Sequence, residues 1–183
     1  MKEFNEAEVL AKLSNPKHRN TAFGRVVQEY QQPIYWHIRK MVLNHEDAND
    51  VMQTTFMKAW NAIDSFRGES KISTWLFRIA VNETITFLNS QKMRNSYSTD
   101  DLDSSMAQNL EADPYFSGDE AQLRFQKAIL TLPDKQRLVF NMKYFDELKY
   151  EEMEQILGTS VGALKASYHH AVKKIEAYLL SNI

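Results

Sequence analysis

The chain has 183 residues, 43% of them hydrophobic, a formal net charge of −2 and no cysteine, so it can bury a core without disulfides or cysteine-ligated zinc. Its longest apolar runs are too short to span a bilayer or to act as a secretory core, and a soluble, cytoplasmic protein without membrane insertion is expected. A slightly acidic balance suits a protein that holds DNA unaided poorly, because phosphate neutralisation dominates such affinity. The acids, however, are segregated. Between Thr99 and Glu120 lie Asp100, Asp101, Asp103, Glu111, Asp113, Asp119 and Glu120 with no Lys or Arg, which leaves the remainder with five more bases than acids. That small surplus predicts weak DNA binding by the chain alone and a partner that supplies the rest.

A short helix over Phe4 to Leu13, a minor element, is stopped by Asn15-Pro16. A second helix starts near Asn20 or Thr21 and buries Phe23, Val26, Val27 and Tyr30. Pro33 removes one of its backbone hydrogen bonds and is expected to kink or end it. The apolar pattern resumes through Ile34, Tyr35, Ile38, Met41 and Val42 to Asn44, a residue tolerant of left-handed geometry and a reasonable stop. In the next helix Glu46 and Asp47 favour the positive end of the dipole, and Met52, Phe56, Ala59 with Trp60, and Ile63 form the stripe expected to be buried. Asp47, Asp50, Gln53 and Met57 fall away from that stripe. Residues 66 to 74 break helical periodicity and read as a loop around Gly68, ending at a Ser73 or Thr74 N-cap. In the helix that follows, Trp75, Leu76, Ile79, Ala80, Phe87 and Leu88 are apolar while Arg78, Asn82, Lys92 and Arg94 are polar; Trp75 reads as core before it reads as a base-stacking platform.

From about Asn95 to Gly118 the sequence is rich in Ser, Asp and Asn with little periodicity, which marks a domain boundary. The fold expected is all-α: two small helical domains, 1–95 and 119–183, joined by a flexible acidic linker over 96–118. After the linker Leu123, Ala128, Ile129 and Leu132 shape one helix ended before Pro133, and Gln136 to Tyr144 shapes the next. The stretch from Tyr150 to Leu179 is the most informative. Met153, Ile156 and Leu157 give a short helix its apolar face, Gly158 lets the chain leave helical geometry, and Thr159 or Ser160 can cap a longer helix. That helix buries Val161, Leu164, Tyr168, Ala171 with Val172, Ile175 and Leu179. Short helix, glycine turn, capped longer helix is a helix-turn-helix, whose second helix can enter the major groove of DNA. Its opposite face carries Gly162, Ala163, Lys165, Ala166, His169, His170 and Lys173, small residues for close approach and donors for base edges or phosphates.

No phosphate-cradling loop, zinc-protease motif or nucleophile elbow occurs, so neither enzymatic chemistry nor a cofactor is expected. Adjacent His169 and His170 point about 100° apart on a helix and do not share one metal ion, and the acids at 46–50 do not match a calcium loop.

With both halves read, the chain resembles the extracytoplasmic-function (ECF, group IV) sigma factors of bacterial RNA polymerase. The segment EDANDVMQTTFMKAWNAIDSFRGESKISTWLFRIAVNETITFL is similar to sigma region 2, with Ile72 in place of a usual aromatic. The segment LPDKQRLVFNMKYFDELKYEEMEQILGTSVGALKASYHHAVKKI is similar to region 4. The resemblance implies that Asp47, Asp50, Gln53 and Met57 dock on the β′ clamp helices of core polymerase, and that region 4 sits near the β flap. It implies that the loop from Phe66 through Arg67, Gly68, Glu69, Ser70 and Lys71 to Ser73, with Trp75, Arg78 and a nearby Asn82, captures a flipped base of the minus-ten element. Flipping a base from a melting duplex costs only a few kcal/mol. Ser160, Ala163, Lys165, Ala166, His169, His170 and Lys173 would hold the minus-35 element, and the acidic linker would thread toward the RNA exit path. Many relatives carry Arg at the places of Ser167 and His170 and a hydroxyl residue at Ala166, so a different or weaker minus-35 preference is expected. A monomer is expected, with an anti-sigma protein as a possible partner, and a self-inhibited form with the two halves packed together stays open. The alternative is a stand-alone helix-turn-helix regulator with a helical N-terminal domain.

Overall fold

In the computed structural model, which describes residues 4–95 and 120–181, the described residues form eight α-helices and no strand. The acidic linker expected over 96–118 lies outside the described residues. The first half holds α1 (Glu6–Leu13), α2 (Arg19–Val42), α3 (His45–Ala62), a 3-10 turn (Ile63–Ser65) and α4 (Ile72–Asn95). The second holds α5 (Glu120–Leu130), α6 (Asp134–Tyr144), α7 (Tyr150–Leu157) and α8 (Val161–Ser181).

α2 runs unbroken through Pro33, so of the expected kink or end the proline does not bring the end. Pro33 lies on the exposed side, while Ile34, Ile38 and Met41 are buried on the other; packing on that side outweighs one missing hydrogen bond. The stop at its end also differs. Leu43 takes the left-handed position (φ 58°), and Asn44 instead caps α3, its side-chain oxygen accepting the Asp47 N–H at 3.0 Å. The buried side of α3 is rotated from the expected stripe: Ala48, Val51, Thr55, Phe56 and Ala59 are buried, while Met52 is half-buried and Trp60 lies at the exposed edge. Thr55 can face inward because its hydroxyl donates to the Val51 carbonyl at 2.8 Å.

α1 is more than a minor element. Val9 and Leu13 are buried against the rest of the first half, and Phe4 meets the Tyr30 ring edge-on at 5.5 Å. α4 begins at Ile72, before Ser73 and Thr74, and the Ile72 N–H is satisfied by a carboxylate oxygen of Glu6 at 2.8 Å. The N-cap predicted at Ser73 or Thr74 is thus replaced by a group from α1, and Thr74 is buried. Burial first, then the charges of Glu6 and Glu29, push the Tyr30 hydroxyl from its usual value near 10 up to about 12. A phenol whose folded value is raised stabilises the fold fully below pH 10, and that contribution is lost between pH 10 and 12. In an ultraviolet titration the phenol that Tyr30→Phe removes should be one that ionises near pH 12, and the variant should lose that part of the alkaline dependence of stability.

The second half has its own core, in which Ala128, Ile129, Leu132, Phe140, Ala171 and Ile175 meet. Its other face is shared. Leu138, Met142, Met153, Ile156 and Leu164 belong to the same buried cluster as Met41, Leu76 and Leu88 of the first half, with α6 against α2 and α7 against α4. Polar groups cross this boundary too. The His37 Nδ1 meets Oδ2 of Asp146 at 2.5 Å, Lys40 Nζ donates to Oδ1 at 2.8 Å, and Lys92 pairs with Asp134. Because a carboxylate only accepts, Nδ1 of His37 carries the proton. Burial by itself raises the Asp146 carboxyl, but the hydrogen bond and charge of His37 and the charge of Lys40 outweigh it and hold the group below the usual carboxylate range.

Candidate nucleic-acid interface

α8 is presented by its own first turn and by α7. Gly158 ends α7 in the left-handed region (φ 65°), where a side chain is strained. Ser160 then opens α8: its carbonyl accepts from Leu164 at 2.9 Å and its hydroxyl from Ala163 at 3.4 Å. A carboxylate oxygen of Glu154 takes the Val161 N–H at 3.3 Å, tying the turn back to α7. Leu164, Ala171 and Ile175 point into the core. On the other side Ser160, Gly162, Ala163, Lys165, Ala166, His169, His170 and Lys173 are all exposed. The Lys165 ammonium lies 5.7 Å from the centroid of the Tyr150 ring, a cation–π contact that steadies a long side chain beside this face.

A second group of candidates surrounds the segment between the 3-10 turn and α4. Phe66 packs on Trp75 with ring centroids 5.1 Å apart, and both are half-buried. Gly68 has φ 72°, so the bend there needs glycine. Arg67, Gly68, Glu69 and Lys71 are exposed, whereas Ser70 and Ser73 are half-buried. Lys71 is engaged across the boundary, 3.2 Å from Glu152 of α7. The N–H of Lys149, and then Lys71, hold the Glu152 carboxyl below its usual value despite its partial burial. Arg78 and Asn82 are exposed along α4; Asn82 is ten positions from Ile72, about 15 Å along the axis, so it stands apart from the loop.

The third group lies on α3. Asp50, Gln53 and Met57 are exposed, Met57 by 66%. Asp47 is half-buried and accepts from Gln91 of α4 at 3.3 Å; burial, then Asp50 and Glu46, raise its carboxyl. Beside Gln53 and Met57 a shallow groove of about 420 Å³ opens between α2 and α3, walled by Phe23, Val27, Phe56 and Trp60. Sequence periodicity assigned Phe23, Phe56 and Trp60 to the core. Phe23 and Phe56 are buried as expected, whereas Trp60, which meets the Phe23 ring edge-on at 5.1 Å, is exposed at the rim of the groove.

Two family models match the chain: Sigma-70 region 2 over residues 26–94, and Sigma-70, region 4 over residues 122–175. The ECF RNA polymerase sigma factor SigW of Bacillus subtilis (strain 168) is 35% identical over 170 residues, covering 86% of this chain and 89% of that protein. The chain belongs to the ECF sigma factors. The ECF RNA polymerase sigma-E factor of Escherichia coli (strain K12) is 32% identical over 165 residues, covering 85% of each. Among solved structures, CnrH in complex with the cytosolic domain of CnrY matches with a TM-score of 0.70 at 22% identity, covering 97% of this chain and 99% of that one. RpoE in complex with the anti-sigma factor NepR from Bartonella quintana matches with a TM-score of 0.67 at 22% identity, over 86% and 96%. At that identity these two speak for the shared fold.

In this ECF sigma factor the helix-turn-helix lies in the region 4 match, and the loop and the α3 face lie in the region 2 match. α1 and Arg19 precede the region 2 match, and the sequence offered no sign that they approach the loop. No group of three or more metal-ligating side chains occurs among the described residues, and no described helix is long and apolar enough to cross a membrane.

Proposed function

We propose that this chain binds core RNA polymerase and directs promoter-specific initiation, reading the minus-ten element with the 66–73 segment and the minus-35 element with α8. The observation that carries this reading is the presence of both sigma regions, in order, in a chain whose recognition-helix face is free of its own core. Asp50, Gln53 and Met57 with the adjoining groove supply the face for core polymerase, combining exposed apolar area with charge at the edge. The relatives act in the transcription machinery, where a sigma factor contributes recognition and the polymerase the chemistry, so no catalytic residue is assigned. A helical protein of this family working with polymerase and promoter DNA acts where those reside, in the cytoplasm. RpoE is bound by the anti-sigma factor NepR in its structure, and an anti-sigma partner for this chain extends the same reading.

The closed arrangement is a resting form in this reading. Lys71 beside the loop touches α7, and α7 itself is eight residues long, about 12 Å, so the two reading surfaces lie close together. Elements named for positions 10 and 35 are about 25 base pairs apart, roughly 85 Å at about 3.4 Å per pair. Residues 96–119, fully extended, reach at most roughly 85 Å. The halves must part to read both.

In vitro transcription with purified core polymerase tests the assignment. Specific start sites should appear with this chain as the only sigma factor, and a stand-alone regulator would give none. Lys165→Ala should cost about 1–3 kcal/mol of promoter affinity if the ammonium reads a base. The loss should then be confined to promoters carrying the preferred base, and equal weakening on every sequence would make Lys165 a phosphate contact.

A further inference from the structure

The exposed side of α8 carries two groups of the kind whose charge changes near neutral pH, His169 and His170. Leu164, Ala171 and Ile175 hold the opposite side in the core, which puts the middle of the outward face along Ala166 and Lys173. At about 100° per residue the two histidines stand about 50° to either side of that line. Their rings lie 6.0 Å apart, and among the described residues neither makes a hydrogen bond or an ion pair. A helix with its side chains is about 10–12 Å across and the major groove about 12 Å wide, so groups that straddle the outward face come near the groove walls, where the phosphates run. The charges around the pair are positive. Lys165 and Lys173 lie one turn to either side of His169, and Lys174 lies one turn beyond His170, whereas the acid of this helix, Glu176, is about two turns on. The packed elements bring no carboxylate to either ring. α7 turns Glu154 to the Val161 N–H and holds Lys143 and Lys165 at the Tyr150 ring, α6 gives Gln136 to Lys174, and α5 gives Arg124 to the Leu179 carbonyl. In the free chain a proton on either ring meets like charge, and a DNA backbone alongside reverses the sign of those surroundings.

We propose that His169 and His170 meet the phosphates of the minus-35 duplex as imidazolium groups that take up protons as α8 enters the groove, so that engagement of this element strengthens as pH falls from 8 to 6. The proposal rests on the sigma-factor reading and adds a regulation to its upstream contact. A charged imidazole donates from both ring nitrogens, while the neutral ring keeps one donor and brings no charge. A group that holds its proton more tightly in the complex than in the free chain favours the complex at low pH and ceases to do so as pH rises. Imidazoles ordinarily change charge near pH 6.5, and a neighbouring charge is worth a factor of about ten for each unit it moves such a group. Each phosphate newly neutralised also steepens the dependence of affinity on salt by about 0.9 in the slope of log K against log salt.

The test is binding of holoenzyme, the full chain with core polymerase, to a promoter mapped with the wild-type chain and to the same promoter cut back to remove the minus-35 duplex, at pH values from 6 to 8. The ratio of the two affinities cancels the pH dependence of core polymerase and of the downstream contacts. For the wild type this ratio should rise at least about tenfold between pH 8 and pH 6, with a steeper salt dependence at pH 6. The double variant His169→Gln with His170→Gln keeps polar side chains without a charge to gain, and its ratio should stay flat. His169→Arg with His170→Arg makes the charge permanent, so its ratio should also be flat and at pH 8 should exceed that of the wild type. Both positions are exposed, and melting temperatures close to that of the wild type should accompany these results. Equal pH dependence in the wild type and the Gln variant, or a wild type that binds the minus-35 duplex more weakly at pH 6, overturns the proposal while leaving the sigma-factor reading standing. A gain at pH 6 without the steeper salt dependence overturns the assignment to phosphates. Absence of initiation by the wild type on any template overturns the sigma-factor reading and this proposal with it.

Discussion

Asp146→Ala is expected to loosen the closed form and, against the usual direction of a destabilising lesion, to tighten apparent binding to core polymerase. Its carboxylate, with a side chain 6% exposed, is shared by the fully buried His37 and by Lys40 across the boundary between the halves. Removing one member of a buried charged group leaves the others without compensation and costs on the order of 3–5 kcal/mol. That cost falls on the closed state, because once the halves part His37 and Lys40 regain water. Where binding needs the open state, apparent affinity is lowered by the open fraction, so a shift of this size raises it until the open form predominates. The wild type should scatter as a compact body with a radius of gyration of about 16 Å plus the contribution of residues 96–119, and the variant as a larger one. The chain has no cysteine, so a dye pair at Asn61→Cys and Ala177→Cys reports the same opening by energy transfer. The pH sign follows from the lowered value of Asp146: its stabilisation is complete above the ordinary carboxylate range and is lost as pH falls through its folded value. Between pH 5 and 8 Asp146 should therefore add no pH dependence to the opening. Unchanged dimensions and unchanged core affinity in the variant would remove the closed form from the account.

The parts of this fold that were legible in the sequence are those whose physics is local. Gly158 and Ser160 announce a turn and a cap within three residues of each other, and the three-and-four spacing of Leu164, Ala171 and Ile175 identifies the core side of α8. The exposed face of α8 follows from the same spacing. What escaped depends on distant partners. The cap of α4 comes from Glu6, 66 positions away, so the nearby Ser73 and Thr74 looked like the better candidates. His37 and Asp146 are separated by 109 positions, and each by itself resembles an ordinary helix or loop residue. Pro33 misled for a related reason: local propensity charges it one hydrogen bond, and only the buried contacts of Ile34 and Ile38 show that the helix withstands the loss. The groove beside Met57 was hidden because periodicity gives an angle around α3 without the curvature of its neighbour. Trp60 therefore read as core although it stands at an exposed edge, packed on the buried Phe23.

The edge position of Trp60 beside the exposed Met57 gives the other large effect, on docking to polymerase. A double substitution, Asp50→Arg with Met57→Asp, should abolish measurable binding to core polymerase and transcription with it, while leaving the melting temperature close to that of the wild type. Both side chains are exposed, and substitutions at such sites usually change stability by no more than about 0.5 kcal/mol. Loss of binding therefore cannot be ascribed to unfolding. Met57 is a flexible apolar side chain at the mouth of the groove formed by Phe23, Val27, Phe56 and Trp60, the kind of central contact whose loss costs at least about 2 kcal/mol, roughly 30-fold in affinity. Asp50 sits at the polar rim, where reversal replaces attraction by repulsion and acts chiefly on the rate of encounter. The two single variants should thus separate kinetically: Met57→Asp should speed dissociation, and Asp50→Arg should slow association with a strong dependence on salt. Asp47→Asn provides the contrast, because Asp47 is half-buried and bonded to Gln91, so it should affect the α3–α4 packing more than the docking rate. Wild-type retention of core polymerase by the double variant would remove this face from the interface and leave the sigma regions to be joined to polymerase elsewhere.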